Sequence, residues 1–151
     1  VYACIIPLVF LIFFFRPYFC VHSPSYSARV TEVIDGDTIL LDHGERVRCL
    51  GIDTPETKHP DKPIGHMGKE AAEFQRKLVL GKLVHLEFDV LKRDVYDRLL
   101  AYVWVDGIFV NARLVKEGYA KILFIPPNLK YKGYFSELEV QARKAKTGIW
   151  K

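Results

Sequence analysis

The sequence predicts an α+β domain, and three observations carry that prediction. Short runs of alternating apolar and polar residues recur from Arg29 to Phe109. Other stretches repeat their apolar residues at helical spacing instead. Clusters of glycine, proline and asparagine separate the two kinds of segment.

In chain order, "RVTEVIDGDTILLD" (29–42) reads as two short strands about "DGD", and "HGER" (43–46) as a turn. "VRCLGI" (47–52) is the next strand. "TKHPDKPIGHMG" (57–68), with its prolines and glycines, is a loop. In "KEAAEFQRKLVLG" the period changes: Ala71, Phe74 and Leu78 share one helical face, and Gly81 is placed to end the helix. "LVHLEF" (83–88) and "LLAYVWV" (99–105) alternate as strands. "DG" at 106–107 before "IFV" is a hairpin signal. Asn111 is expected to cap a short helix ending at Gly118, and "IPPN" (125–128) breaks the chain. A last helix is expected from Phe135 to Lys146, with Leu138, Ala142 and Ala145 on one face, before Gly148 and Trp150. About five strands with three helices fit a five-stranded Greek-key barrel of the OB type.

The first 15 residues, "VYACIIPLVFLIFFF", carry no charge, and Arg16 closes the run. That is short for a membrane span, which needs roughly 20 apolar residues. It suits a secretory signal, with an uncleaved anchor touching the membrane through residues 1–15 as the second reading and a buried strand as the third. Residues 1–28 are therefore expected to be a signal or anchor plus linker, and 29–151 the folded domain, exported to the cell envelope or beyond. Residues 29–151 keep 21 basic and 18 acidic residues, a mild excess that permits an anionic partner. Only Cys49 remains there, so no internal disulfide is possible, and alternation turns it inward as a buried thiol. The five histidines show no H-x-x-H or H-E-x-x-H spacing, which argues against a transition-metal site.

Four acids sit in two tight clusters: Asp35 and Asp37 in "VIDGDT", Asp53 and Glu56 in "IDTPE". Each cluster alone reads as a turn. Arg48 lies in the strand leading to Asp53, and Arg98 follows "DVYD". Acids with embedded arginines suit phosphoryl chemistry. Hard oxygen ligands hold calcium or magnesium, the metal polarises a phosphate oxygen, guanidinium forks pair with phosphate, and a spare carboxylate takes a proton from water.

"VIDGDT", "RCLGIDTPETKH", "YDRLLAYVWVDG", N-x-x-L-V-x-x-G-x-A at 111–120 and the final "GIW" together resemble the staphylococcal-type thermonuclease family, in the same order from Val30 to Trp150. The resemblance implies a five-stranded OB-like barrel with three helices and a calcium-dependent nuclease. It implies that Asp37, Asp53 and the Thr54 carbonyl hold the metal, with Asp35 a further acid acting through water. It matches Arg48, Glu56 and Arg98 to the catalytic trio and Tyr96 to a tyrosine near the bound phosphate. Products would end in 3′-phosphate. Pro55 would keep Asp53, on the metal, apart from Glu56, facing the attacking water.

The chain departs from the family at Val95 (lysine in the best-known members), Asp97 (glycine) and Phe124 (tyrosine). Lys58, His59 and Lys62 read as solvated loop charge or, more sharply, as contacts to nucleic-acid backbone, with Lys62 a substrate-binding candidate. The expected substrate is single-stranded DNA or RNA, cut by a monomer. The alternatives are a barrel that binds nucleic acid without cutting it and a membrane-tethered interaction module.

Overall fold

The computed structural model describes residues 26–57 and 66–151. The apolar run 1–15, Lys58, His59 and Lys62 lie outside the described residues.

Alternation builds β1 (Tyr26–Asp35), where Ala28, Val30 and Val33 are buried. Two-residue spacing would turn Glu32 inward and Val33 outward. A register irregularity between Val30 and Glu32 in the pairing with β2 (Thr38–Leu41) absorbs the extra residue and returns Val33 to the core. A second irregularity falls between Val33 and Asp35, where β1 turns into β2. β2 pairs antiparallel with β3 (Arg46–Cys49). β5 (Leu83–Arg93) pairs antiparallel with β1 on one side and with β6 (Leu99–Val105) on the other. The ring closes where β3 and β6 run parallel, Val47 opposite Leu99 and Arg48 opposite Leu100. This is the expected closed five-stranded barrel with three helices, packed inside by Val30, Ile39, Val47, Val84 and Val103.

Several boundaries differ from the sequence reading. β1 begins at Tyr26, ahead of the expected domain start at Arg29: Tyr26 pairs with Leu86 and Ser27 with His85. The small polar residues there read as linker, but Ala28 is buried and the Ser27 hydroxyl lies 2.6 Å from His85 Nδ1. A chain beginning at Ser23 is therefore expected to unfold cooperatively. One beginning at Arg29 should lose about 1–3 kcal/mol in urea titrations, since it drops a buried side chain and several ladder bonds.

The strand expected over 47–52 breaks after Cys49. Its end becomes β4 (Ile52–Asp53), which pairs with β8 (Lys121–Ile122). "DG" does make the hairpin from β6 to β7 (Ile108–Phe109), both turn residues having positive φ.

The helices are α1 (Gly68–Val79), α2 (Val110–Lys116) and α3 (Lys132–Ala145). Asn111 is not a cap. It lies inside α2, fully buried, where Oδ1 accepts the Val103 N–H at 2.9 Å and Nδ2 donates to the Leu50 carbonyl at 2.9 Å. It ties α2 to the barrel, a demand that outranks helix capping. In α3, Leu138 and Ala142 face inward as expected, but Ala145 is exposed at the helix end. Trp150 docks the chain end in a short 3₁₀ turn (Gly148–Trp150), with the Arg143 guanidinium 3.8 Å from its ring centre. Among the described residues no helix is long and apolar enough to cross a membrane.

Candidate active site

The site forms where the β1–β2 turn, the end of β3 with the loop after β4, and the residues entering β6 meet at one end of the barrel. Asp35, Asp37, Arg48, Glu56 and Arg98 line one cleft of about 350 Å³, together with Arg46 and Thr57. Residues far apart in sequence are brought together there by the parallel β3–β6 pairing, which sets Arg48 beside the start of β6.

Asp37 is buried, and both of its oxygens are used. Oδ1 accepts from the Thr38 hydroxyl at 3.1 Å and Oδ2 from the Thr54 N–H at 2.9 Å. Burial pushes its carboxyl above the usual range, and Asp35 and Asp53 add to this, against the lowering effect of Arg48 and the Thr54 N–H. Asp35 accepts from the Gly36 N–H at 2.7 Å and the Thr57 hydroxyl at 3.1 Å. Asp53 is exposed and faces a neighbouring cavity lined by Thr54, His66, Lys121 and Trp150, while Glu56 faces the cleft itself. Asp53 also reaches back to Arg48 in the acid cleft, so the two acids around Pro55 belong to one charge cluster.

Arg48 is anchored on four sides. Its Nη1 donates to the Cys49 and Ile52 carbonyls at 2.9 and 2.8 Å and lies 3.2 Å from Asp37 Oδ2. Its Nη2 donates to Asp53 Oδ1 at 3.0 Å. One guanidinium therefore bridges both of the acids expected to hold metal. Glu56 is solvent-facing and keeps its carboxyl above the usual range through partial desolvation, then through the charge of Asp35 and a hydrogen bond shared with it. Crowding among Asp35, Asp37, Asp53 and Glu56 is what a divalent cation would relieve.

Among the described residues no three His, Cys, Asp or Glu side chains close into a metal cage. The acids expected at a metal, Asp37 and Asp53, meet at the Arg48 guanidinium with Asp35 nearby, and all are oxygen donors. That fits a hard cation completed by water and substrate rather than a closed structural site.

Arg98 depends on a residue the sequence reading missed. Asp94 accepts the Arg98 Nε–H at 2.8 Å and the N–H groups of both Tyr96 and Arg98 at 3.0 Å. Burial alone would raise the Asp94 carboxyl, but the Arg98 backbone and side-chain hydrogen bonds outweigh it and hold it low. With Nε committed, the terminal nitrogens of Arg98 have no partner among the described residues. Tyr96 is exposed, with the Arg98 guanidinium 5.6 Å from its ring centre. It opens onto an apolar cleft of about 630 Å³ that also includes Leu91, Leu100, Leu123 and Ile125 and shares Arg48 and Arg98 with the acid cleft. Of the departures, Val95 is exposed, and Asp97 pairs with Arg93 at 3.2 Å, leaving Arg98 to Asp94. The signal for Asp94 was present in "DVYDR": an acid followed two residues later by N–H donors is the pattern of an Asx turn.

Close approaches fix the acid loops. A Cβ on Gly36 would meet Thr54 Oγ1 at 2.7 Å and the Ala71 Cβ at 3.0 Å. A Cβ on Gly68, the first residue of α1, would meet the Glu56 and Pro55 carbonyl oxygens at 2.7 and 2.8 Å. α1 therefore presses on both acid-bearing loops. Cys49 is buried as expected. Burial, then the charge of Asp37, pushes its thiol up to about 12, against the lowering effect of Arg48.

Residues 46–151 match the family model described as Staphylococcal nuclease homologue. The chain belongs to the staphylococcal nuclease family. It is 44% identical over 124 residues to Thermonuclease of Staphylococcus intermedius, an alignment covering 80% of this chain and 74% of that protein. It is 42% identical over 125 residues to Thermonuclease of Staphylococcus hyicus, covering 81% and 74%. It is 43% identical over 122 residues to Endonuclease YncB of Bacillus subtilis, covering 78% and 58%. As a member of the staphylococcal nuclease family this chain is a hydrolase that acts on nucleic acid.

Proposed function

We propose that this nuclease is exported and calcium-dependent, and that it hydrolyses phosphodiester bonds of single-stranded DNA or RNA to products ending in 3′-phosphate. The observation that carries the reading is the convergence of Arg48, Glu56 and Arg98 with Asp35 and Asp37 on one cleft.

Asp37, Asp53 and the Thr54 carbonyl would hold calcium, with Asp35 acting through water. Bound calcium would polarise a phosphate oxygen and offset charge that develops there. Glu56, solvent-facing and with its carboxyl raised, takes a proton from the attacking water. Arg98 presents its terminal nitrogens to a phosphate oxygen while Asp94 steadies the other edge of the guanidinium. Arg48, held by backbone carbonyls, adds fixed positive charge beside it. The apolar cleft past Tyr96 suits a sugar and an unpaired base. Apolar and aromatic walls accept any base by its face, which favours single strands over sequence readout. A monomer is the proposed working unit. The charge-free run of residues 1–15 supports export or an anchor in the cell envelope.

Incubation of the purified chain with single-stranded DNA and calcium is expected to yield fragments that acquire a label at the 3′ end only after phosphatase treatment. Excess EGTA is expected to abolish the cutting, because an open site with so few protein ligands cannot retain the ion against a chelator. Full activity in EGTA would rule out calcium, and fragments with free 3′-hydroxyls would rule out the proposed bond polarity.

A further inference from the structure

Gln75 is a polar side chain that the reading above leaves without a purpose. It lies midway along α1 and is fully buried at 0% exposure. A buried amide left unpaired costs about 1–3 kcal/mol, so its partners matter. The amide orientation that satisfies its surroundings places Nε2 2.7 Å from the Asp35 carbonyl oxygen and 2.9 Å from the Gly36 carbonyl oxygen. Oε1 then faces the Cys49 sulfur at 3.5 Å, and a thiol kept protonated can donate to it. Both Nε2 hydrogens are thus spent on the turn that carries Asp35 and Asp37. The β1–β2 register is irregular between Val33 and Asp35, so only the Asp35–Thr38 pair of the ladder closes that turn directly. The turn also rests against Thr54 and against Ala71, one helical turn before Gln75 on α1.

We propose that Gln75 is a positioning residue: by donating to both carbonyls it holds the Asp35–Asp37 turn in register with Thr54 and Asp53, at the spacing the calcium site needs. Its effect on cleavage rests on the nuclease reading above; its effect on the turn does not. A space-filling role alone would be served equally by an apolar side chain of the same length.

Gln75→Met preserves length and approximate volume and removes both donors. Compared in the full chain with Val115→Ala, a buried change in α2 away from the site, it should act locally. The Thr54 N–H, which reports on Asp37 through their 2.9 Å bond, should exchange with solvent about tenfold faster than in the Val115→Ala chain. The Kd for calcium, measured by calorimetry without substrate, should rise about tenfold. The calcium needed for half-maximal cutting should rise in parallel, with kcat at saturating calcium reduced much less. Unchanged Thr54 exchange in a folded Gln75→Met chain overturns the proposal. If the wild-type chain neither binds calcium nor cuts, the calcium reading fails while the exchange result still decides the role of Gln75. If Gln75→Met and Gln75→Leu both unfold, the wild-type side-chain amide decides: both of its protons should exchange slowly, and fast exchange overturns the proposal.

Discussion

Glu56→Gln is expected to leave a folded domain that still binds a nucleotide with calcium but turns over about 10²–10⁴ times more slowly, the usual contribution of a positioned base. The substitution keeps shape and removes only the ability to accept a proton. Glu56 is solvent-facing, so no cavity forms. Its carboxyl titrates above the ordinary range in the folded state, chiefly through desolvation and then through Asp35. For an acid that direction means the ionised group disfavours folding at every pH above its folded value, and has no effect below its unfolded one. Without calcium, Glu56→Gln should therefore be somewhat more stable than the wild type at neutral pH, with the gain vanishing in acid. Slower turnover with undiminished stability separates lost chemistry from lost structure. Near-native kcat would remove the base role from Glu56.

The two arginines should respond differently to the same change. Arg98→Lys keeps charge but loses the planar fork, and kcat is expected to fall about 10²–10³-fold, as for one preorganised donor. Urea unfolding should barely move, because among the described residues the Arg98 side chain hydrogen-bonds Asp94 alone and otherwise lies over the exposed Tyr96 ring. Arg48→Lys should lose a similar factor in rate and also about 1–3 kcal/mol of stability. A lysine ammonium cannot reach the Cys49 and Ile52 carbonyls, Asp37 and Asp53 together, and it leaves Asp37 buried with less compensation. The rate effects of Arg48→Lys and Arg98→Lys should not add, since both groups serve one transition state. Equal stability of the two variants would show that the Arg48 anchors carry no weight in the fold.

The barrel was legible because its strands bury one face: Ile39 and Leu41, or Val103 and Val105, recur with the pleat. The acids and arginines of the cleft were legible as residue types whose motifs resemble one family. Three features were not, each for a physical reason. Tyr26–Ala28 has turn-like composition and becomes strand only because β5 offers it a free edge. Asn111 read as a cap and Gln75 drew no reading at all, since local pattern cannot foresee that the barrel presents backbone groups that need a buried amide. Asp94 was overlooked beside Arg98 because its role lies in aiming a neighbour rather than in touching substrate.

The parallel β3–β6 pairing has a consequence for how this molecule comes into being. Every other barrel contact joins antiparallel strands, three of them through short connections (β1–β2, β2–β3 and β5–β6), whereas the seam joins strands with β4, α1 and β5 between them. Closing it, like forming the β1–β5 pairing, brings together residues far apart in sequence (Val47 with Leu99, Arg29 with Leu83) and costs much chain entropy, so it ranks among the slowest steps of folding. Because Arg48 sits on one lip of that seam and Arg98 at the start of the other, hydrolysis cannot precede closure. In a refolding experiment cutting activity should appear only with the slow phases that close the barrel, and a newly made chain stays harmless to nucleic acid until the barrel has shut.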